Sequence, residues 1–436
     1  MKILIVTSSH PYKTAGIVAL DLYKSLKTVN GYDVKLITKP YDKFSNPDFV
    51  SYEGRIVYYI SKVHRKFITL FKKLKLYKPL LAKTNRDYAI QHYDQTKTPI
   101  STKKFLRKIK FTPDLIFVLF NVQFLSYKNL YELSMHFNAP VFIKMADMAS
   151  MTGGCHYAWD CKGYMNNCGF CPAYNSTTEY DQSRKNFEFK KKFVQKANII
   201  PIAGSEQQYQ QLLSSTLFRN KLKYKIINSI DPDSYKPGNR KESREKLGLP
   251  LDKKIIFFGA ISYNSPRKGF KELFKALKIL SHNIDNELKN NILLVGAGNK
   301  LQIIDKIELS SKAIGYLNHD ELIHAYRAAD IYLSPSIEDS GPMMVRQAAM
   351  TGTPIVAFNI GNALDFIITG QTGYRAKLYD VNDFALGIKF ILDLNDIDYK
   401  KMCEDCRTIA LKLASPQAQA KKYKNIFSDL SNKNVQ

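Results

Sequence analysis

The amino-acid sequence predicts an α/β protein with two doubly wound parallel sheets. The first observation is that short apolar runs, suited to buried parallel strands, alternate with helical stretches through both halves of the chain. The second is that each half opens on a strand followed by a turn, after which the alternation resumes. The third is the length, because 436 residues, of which 45% are hydrophobic and 24% charged, suit two or three globular domains.

The sequence shows neither a targeting segment nor a membrane-spanning one. Its first residues form a predicted strand, Lys2–Val6, rather than the apolar core of a signal peptide. No stretch approaches the roughly 18 consecutive apolar residues of a transmembrane helix. We therefore expect a cytoplasmic protein.

The predicted strands of the first half form a βαβ opening and a parallel continuation. They are Lys2–Val6, Asp33–Ile37, Asp114–Leu119, Pro140–Met145 and Asn198–Ile202. A helix from Ile17 to Leu26 is predicted between the first two strands, after a turn that contains Gly16. That glycine either serves the turn alone or contacts a ligand.

The predicted strands of the second half each end near a glycine or a proline. They are Ile255–Phe258, Asn291–Val295, Ile331–Leu333 and Ile355–Phe358. The loop after the third of these strands carries Glu338 and Asp339. Ligands bind in the crevice beyond the carboxyl ends of strands in open α/β sheets, so these carboxylates are candidate site residues.

A helix is predicted to start just beyond these carboxylates. Gly341 allows a tight turn or a close backbone approach, and Pro342 suits the first helical position because its missing N–H would be unpaired there. The free amides of Met343 and Met344 would then point at an anion. Gly352 closes the helix.

Several motifs of this half match a known family in order. They are Gly352-Thr353-Pro354, Gly361-Asn362, Asp365 and Thr372-Gly373-Tyr374. On these motifs the chain resembles the retaining glycosyltransferases of family 4, enzymes that transfer sugars from nucleotide diphosphate donors. The resemblance implies the GT-B fold, in which two Rossmann-like domains face a central cleft, and a site that requires no catalytic metal.

The resemblance also implies how the chain divides into domains. An N-terminal acceptor-binding domain is expected over residues 1–205, a C-terminal donor-binding domain over 206–414, and a final helix that packs back on the first domain over 415–436. The stretch from Ile226 to Pro237 resembles the family's crossing between domains.

The acidic signature of the family has an acidic residue, seven intervening residues and a Glu. Counting eight positions back from Gln347 gives Asp339, whereas counting eight on from Glu338 gives Arg346. We prefer the Gln347 register, because Ala348-Ala349 follow it where the family has Ala-Met. The resemblance then implies that Asp339 lies against the donor sugar and that Gln347 bonds the ribose hydroxyls without a charge. Glu338 and Asp339 are both candidate catalytic residues.

The loop after the strand Ile255–Phe258 carries two cations. Arg267 and Lys268 resemble the family's basic residue and Lys-Gly pair, which hold the donor diphosphate and stabilise the charge that builds on the leaving group. Lys268 is the stronger candidate. Ala260 replaces an arginine of the family, so Arg267 is expected to take over its role. The alternative is a solvated surface pair.

Four of the six cysteines fall in one run, the insertion at residues 152–172. Cys155, Cys161, Cys168 and Cys171 have the spacing Cys-x5-Cys-x6-Cys-x2-Cys. In a reducing cytosol four thiolates at short range suit a structural Zn²⁺, with His156 and Asp160 as substitute ligands. Disulfides, free thiols and an iron–sulfur cluster are the alternatives. Cys403 and Cys406 are interpreted as ordinary helix residues.

The cysteine-rich run also resembles a subset of family 4 that builds bacterial capsules, lipopolysaccharide O-antigens and other exopolysaccharides. That subset carries a Thr-Gly-Gly-Cys-His-Tyr insertion, here residues 152–157, after a strand ending in His-Asp-Met. Here the strand ends in Ala146-Asp147-Met148, so the histidine that would face the donor sugar is absent. Asp147 is a candidate for positioning the acceptor, and the alternative is that it caps a turn.

Residues 62–110 are strongly basic. They hold 15 Lys or Arg and two Asp, and their net charge of +13 is half of the net charge of +26 of the whole chain. The apolar positions at helical spacing within them are Phe67, Leu70, Phe71, Leu74 and Tyr77. A basic amphipathic helix suits an anionic leaflet, so we expect peripheral attachment to the inner face of the cell membrane and a polyprenyl-diphosphate-linked acceptor. The alternative is a solvated helix whose apolar stripe packs on its own domain.

The predicted function is transfer of a sugar from a nucleotide diphosphate sugar to a glycan acceptor, with retention of configuration, in cell-surface polysaccharide biosynthesis. Ala146 and Gln347 motivate a second hypothesis, a catalytically weak or inactive relative that binds sugar nucleotides. A nucleic-acid-binding protein is the third, because positive charge attracts phosphate backbones. It fits poorly, since the sequence carries no zinc-finger, ribonucleoprotein or helix-turn-helix motif, and we expect no nucleic-acid partner.

Overall fold

The computed structural model describes residues 1–13, 16–61, 63, 67, 88–91, 93–299 and 307–433. Over these residues the chain forms two compact units, each with its own parallel sheet. One unit comprises Met1–Gly204, Gln208–Asn228 and the stretch from Lys422 onward. The other comprises Ser205–Gln207 and Ser229–Lys421. Two parallel α/β units confirm the fold class predicted from the sequence.

The first unit is built on seven parallel strands within the described ranges. They are β1 (Lys2–Thr7), β2 (Asp33–Thr38), β3 (Phe49–Ser51), β4 (Leu115–Leu119), β5 (Val141–Lys144), β6 (Ile199–Ala203) and β7 (Tyr224–Lys225). Their order across the sheet is β3-β2-β1-β4-β5-β6-β7. The predicted strands β1, β2, β4, β5 and β6 are confirmed, with ends that differ by one or two residues.

The second unit is built on six parallel strands within the described ranges. They are β8 (Lys254–Ser262), β9 (Ile292–Asn299), β10 (Ser310–Ala313), β11 (Ile331–Ser334), β12 (Ile355–Phe358) and β13 (Gly373–Ala376). Their order is β10-β9-β8-β11-β12-β13. The four strands predicted for this half are confirmed.

Helices connect these strands. In chain order they are α1 (Ile17–Lys27), α2 (residues 55–61), α3 (Thr102–Leu106), α4 (Tyr127–Phe137), α5 (Gln182–Lys196), α6 (Glu206–Ser214), α7 (Arg240–Lys246), α8 (Phe270–His282), α9 (Asn286–Asn291), α10 (His319–Ala328), α11 (Met343–Met350), α12 (Ala363–Phe366), α13 (Val381–Leu392), α14 (Asp396–Ala414) and α15 (Pro416–Lys433).

The first sheet is buried on both faces, which explains the continuous apolar runs of its central strands. Leu4 of β1 and Ile116 of β4 lie in one core, whereas Ile3 and Phe117 on the same two strands lie in the core on the opposite face. Helix α15 covers this second face, because the Tyr423 ring meets the Phe117 ring edge-on with centroids 5.0 Å apart.

The domain division differs from the predicted one. Residues 208–228, predicted for the donor domain, belong to the first unit because β7 pairs with β6 at the edge of its sheet. The boundary therefore lies at Asn228, inside the stretch that resembles a domain crossing. Helix α15 starts in the second unit and joins the first from Lys422.

The part of the chain that the structure describes contains no helix long and apolar enough to span a lipid bilayer. The basic amphipathic helix predicted within residues 62–110 lies largely outside that part. Of its apolar positions Phe67 is described, whereas Leu70, Phe71, Leu74 and Tyr77 are outside the described residues.

Candidate functional site

The sheet of the second unit has a topological switch point between β8 and β11. The chain winds from β8 outward to β9 and β10, then returns to the other side of β8 for the remaining strands. The connections after β8 and β11 therefore leave the carboxyl edge in opposite directions, and ligands bind in the crevice that this opens. Arg267 and Lys268 follow β8, and Glu338 and Asp339 follow β11.

Asp339 holds both basic side chains of the loop after β8. Its Oδ2 atom lies 2.8 Å from Nη1 of Arg267 and 2.7 Å from Nζ of Lys268. Its Oδ1 atom accepts a hydrogen bond of 3.1 Å from the amide of Gly341. The carboxylate is buried, whereas the side chains of Arg267 and Lys268 are 26% and 25% exposed. The structure thus brings together three predicted site residues from two loops.

The charge state of Asp339 follows from these contacts. Burial opposes its ionisation, but the positive charges of Lys268 and Arg267 outweigh burial and lower the pKa of Asp339 below its ordinary value. The carboxylate is therefore ionised at neutral pH and fixes two partly exposed cations. Such fixed cations suit an anionic ligand, because charge-assisted hydrogen bonds to phosphate oxygens are strong.

Backbone contacts tie the two loops together. The carbonyl oxygen of Arg267 accepts hydrogen bonds from the amides of Ile337, at 2.9 Å, and Glu338, at 3.2 Å. Glu338 is itself buried, so packing fixes its position in the loop together with the hydrogen bond from its amide to the carbonyl of Arg267. The acidic loop and the basic loop therefore form one local structure.

Gly269 is required where the basic loop enters helix α8. Its φ is +65°, and a Cβ at this position would stand 1.8 Å from the carbonyl oxygen of Pro335. The glycine ends the short 3-10 turn Pro266–Lys268 and allows the loops after β8 and β11 to touch. The position of Lys268 thus depends on this close approach.

Helix α11 begins beside the cluster. Pro342 is its N-cap and Met343 its first residue, so the helix starts one residue later than predicted. The amides of Met343 and Met344 lie in the first turn, where N–H groups have no carbonyl partner within the helix. Gly341 has φ +154°, and a Cβ there would come within 2.9 Å of the Asn362 side chain.

Two buried polar atoms next to Gly341 add residues that the sequence did not assign to the site. Within the described part of the chain, Oγ of Ser340 and Oδ1 of Asn362 are enclosed and have no hydrogen-bond partner. An unpaired buried polar group costs about 1–3 kcal/mol, so a ligand or a water molecule is the expected partner. For these two residues the only signal in the sequence was the family motif Gly361-Asn362, to which no role was assigned.

Gln347 is engaged in a way that the sequence did not predict. Its Nε2 donates a hydrogen bond of 2.7 Å to the hydroxyl of Tyr235, and its Oε1 accepts one of 2.9 Å from the hydroxyl of Tyr326. The residue is buried, and both ends of its amide are used inside the second unit. This arrangement does not support the predicted hydrogen bond to a donor ribose.

In the first unit Asp147 caps a turn. This role was predicted from the sequence as the alternative to positioning the acceptor. Its Oδ1 accepts a hydrogen bond of 2.7 Å from the amide of Ala149, and its Oδ2 lies 2.6 Å from Nδ1 of His156. Close packing explains the glycine at position 16 without any ligand, because a Cβ there would stand 1.9 Å from the carbonyl oxygen of His10. A ligand contact by Asp147 or Gly16 stays a prediction.

A small polar pocket, with a cavity volume of about 30 Å³, lies at the carboxyl ends of β4 and β5. Its polar lining includes the side chains of Gln91, Tyr93, Gln95, Lys97, Asn121, Gln123, Ser126, Ser150 and Lys190. Burial lowers the pKa of Lys190 to about 8, and its Nζ donates to the carbonyls of Ala149 and Thr152 at 2.7 and 2.8 Å. The sequence did not predict this pocket.

The four clustered cysteines line one small cavity, as their spacing suggested, but all are free thiols. Amides of Gly153 and Gly163 donate to the sulfurs of Cys168 and Cys161, at 3.2 and 3.4 Å. Burial raises the pKa of Cys155 to about 12. Across the described residues no three His, Cys, Asp or Glu side chains are grouped to hold a metal. Structural zinc on Cys155, Cys161, Cys168 and Cys171 stays a prediction that metal analysis can test.

Known proteins resemble this chain in sequence and in fold. Residues 239–412 match the family described as glycosyl transferases group 1. D-inositol 3-phosphate glycosyltransferase 2 of Catenulispora acidiphila is 26% identical over 176 residues, which are 38% of this chain and 41% of that protein. The chain thus spans about two fifths of that relative's length. The family match over residues 239–412 includes Arg267, Lys268 and Asp339.

Two solved structures cover nearly the whole chain. Sucrose-phosphate synthase from Thermosynechococcus elongatus has a TM-score of 0.64 and 16% identity, with 99% of each chain covered. Anabaena Alr3699/HepE in complex with UDP has a TM-score of 0.60 and 14% identity, with 98% of this chain and 100% of that chain covered. These likenesses show the fold alone, and with the two parallel sheets they confirm the predicted GT-B class.

Proposed function

We propose that this protein is a retaining glycosyltransferase that uses a nucleotide diphosphate sugar as donor. The observation that carries the proposal is the cluster of Arg267, Lys268 and Asp339 at the switch point of the second sheet, beside the start of α11. Partly exposed cations and free helix amides are the groups that bind a diphosphate. The family match over residues 239–412 and the UDP complex of the Anabaena neighbour support this donor class.

In the proposed reaction the cations act on the leaving group. Negative charge builds on the nucleotide diphosphate as its bond to the sugar breaks, and Lys268 and Arg267 stabilise that charge together with the amides of Met343 and Met344. The acceptor hydroxyl attacks from the face that the diphosphate leaves, and a donor phosphate oxygen takes its proton. This route retains configuration and requires positioning rather than a catalytic metal.

A thermal-shift screen of nucleoside diphosphates, followed by transfer assays with the matching nucleotide sugars, tests the proposal. A ligand that binds only the native state stabilises it by about 2.7 kcal/mol at 100 times its Kd. We expect at least one nucleoside diphosphate to raise Tm and its nucleotide sugar to be consumed. Binding without turnover would favour the inactive relative, and no stabilisation by any of them would contradict the proposal.

We further propose that the acceptor is a glycan on polyprenyl diphosphate, used in cell-surface polysaccharide biosynthesis, and that side chains at the mouth of the polar pocket of the first unit bind it. Side-chain amides and hydroxyls offer both donors and acceptors to sugar hydroxyls. Gln123, which lines this pocket, has a φ of +49°, and Phe120, which precedes the lining residue Asn121, has a φ of +50°. Such backbone conformations are uncommon outside glycine and cluster at ligand sites, which supports the choice.

Gln123→Ala is expected to raise the KM for the acceptor by about tenfold, while kcat and the donor KM stay near their wild-type values. The reason is that a hydrogen bond made equally to bound substrate and transition state changes KM alone. Steady-state kinetics with each substrate varied in turn measure this. Gln195→Ala, which removes an exposed amide of α5 in the same unit, is the control. An unchanged acceptor KM would place the acceptor elsewhere.

A further inference from the structure

A tripeptide, Ser205–Gln207, belongs to the second unit although its neighbours on both sides in the chain belong to the first. Ser205 is buried, and its hydroxyl donates a hydrogen bond to the carbonyl of Ser340 in the loop after β11. The amide of Glu206 donates to Oδ2 of Asp365 on α12, at 3.0 Å. The tripeptide is thus bonded to two separate segments of the second unit.

Gln207 bonds to a third segment, the loop after β12. Its Oε1 accepts a hydrogen bond from the amide of Gly361. A backbone N–H can only donate, so the carbonyl oxygen of the side chain is the atom that faces it. Within the described part of the chain Nε2 of Gln207 has no hydrogen-bond partner, so this side chain is bonded through Oε1 alone.

Gly361 packs directly against the start of α11. A Cβ added at Gly361 would stand 2.9 Å from Cδ of Pro342, the N-cap of that helix, and 3.2 Å from the carbonyl oxygen of Asp339. Its φ of +55° also favours glycine. Gln207 therefore holds the N-cap of α11 in place through Gly361, while Ser205 holds the loop that precedes this helix.

We propose that Gln207 is a positioning residue for the donor diphosphate, because it fixes the first turn of α11, whose free amides bind that group. It acts through Gly361 and does not itself touch the donor. Helix amides bind an anion well only when they point at it together, and a displacement of about 1 Å can cost a large factor in rate. This inference rests on the proposed function, since it names a residue that shapes the same diphosphate site.

The first test is steady-state kinetics of variants at position 207. Gln207→Ala removes the acceptor of the Gly361 amide, and we expect kcat/KM for the donor to fall by about tenfold while the acceptor KM stays within about twofold of wild type. Gln207→Glu keeps an acceptor oxygen, and a carboxylate is favourable in the first turn of α6, so this variant is expected to retain at least about half of the wild-type value.

Gln371→Ala is the matched control, because it removes an exposed side-chain amide of the same unit. Its kcat/KM for the donor is expected to stay within about twofold of wild type, since an exposed amide that bonds to no other residue contributes little. An unchanged kcat/KM in Gln207→Ala, an equal loss in Gln371→Ala, or a failure of Gln207→Glu to restore transfer would overturn the proposal.

The second test is hydrogen exchange on the full chain without any donor, measured by mass spectrometry. In Gln207→Ala the peptides that cover residues 337–345 and 358–363 are expected to exchange at least about fivefold faster than in the wild type, whereas Gln207→Glu and Gln371→Ala match it. Unchanged exchange of these peptides in Gln207→Ala, or equally faster exchange throughout the second unit, would overturn the proposal. A wild type that consumes no nucleotide sugar would refute the proposed function, while the exchange rates would still support or overturn the positioning of the two loops.

Discussion

Replacing Lys268 by alanine is expected to lower sugar transfer by about 10²- to 10³-fold, the size of effect seen when one group that stabilises transition-state charge is removed. The lysine Nζ lies 2.7 Å from Asp339, and its side chain is 25% exposed. Truncation therefore removes a cation without opening a cavity in the core, and we expect the fold to survive. Initial rates with the donor identified by thermal shift, together with the Tm of the variant, measure both effects.

Lys271→Ala is the matched control. Lys271 lies three residues further on, in the first turn of α8, and is exposed. Transfer by this variant is expected to stay within about twofold of wild type, since exposed charges distant from the reacting groups contribute little. Near-normal transfer by Lys268→Ala would contradict its role at the diphosphate. A similar loss in both variants would instead indicate an effect of overall charge.

The central strands of both sheets could be predicted because their sequences are apolar on both faces, whereas the edge strands could not. β10 reads Ser-Ser-Lys-Ala and is exposed along its length, and β7 has two residues. Their pairing rests on backbone hydrogen bonds, which any residue can make. The missed β7 also explains why the domain boundary was predicted too early.

The site could be predicted as far as the topology determines it. Asp339 was a candidate because it follows the carboxyl end of a buried strand, whereas Lys268 was a candidate through the family resemblance. Their direct ion pair was not foreseen, because it depends on the close approach at Gly269. The hydrogen bond from Gln347 to Tyr235 could not be predicted either, since Tyr235 lies 112 residues away in the chain.

The cysteine spacing predicted a shared location but not a ligand geometry. The four cysteines line one cavity, yet the direction of each sulfur depends on backbone angles that spacing does not reveal. Asn167, Cys168 and Phe170 all have positive φ values, between +46° and +79°. Such conformations are uncommon for residues other than glycine, so the path of this loop could not be read from its composition.

Gly269→Ala is expected to have the largest effect on stability and activity together. A Cβ at this position would stand 1.8 Å from the carbonyl oxygen of Pro335, and the backbone φ of +65° is itself unfavourable for alanine. Because a carbonyl of the main chain cannot rotate away as a side chain can, the loops after β8 and β11 must separate. We expect the free energy of unfolding to fall by about 3 kcal/mol or more, and transfer to fall by about 100-fold as Lys268 moves away from Asp339.

Gly315→Ala separates the cost of the backbone angle from the cost of the contact. Gly315 has φ +71°, nearly the same as Gly269, but its Cβ would meet no atom within 4 Å. Alanine there is expected to cost about 1 kcal/mol and to leave transfer unchanged, because only the left-handed conformation is penalised. Chemical denaturation and initial rates of both variants make the comparison. Equal destabilisation by the two substitutions, with transfer retained in both, would show that the close approach of the loops does not position Lys268.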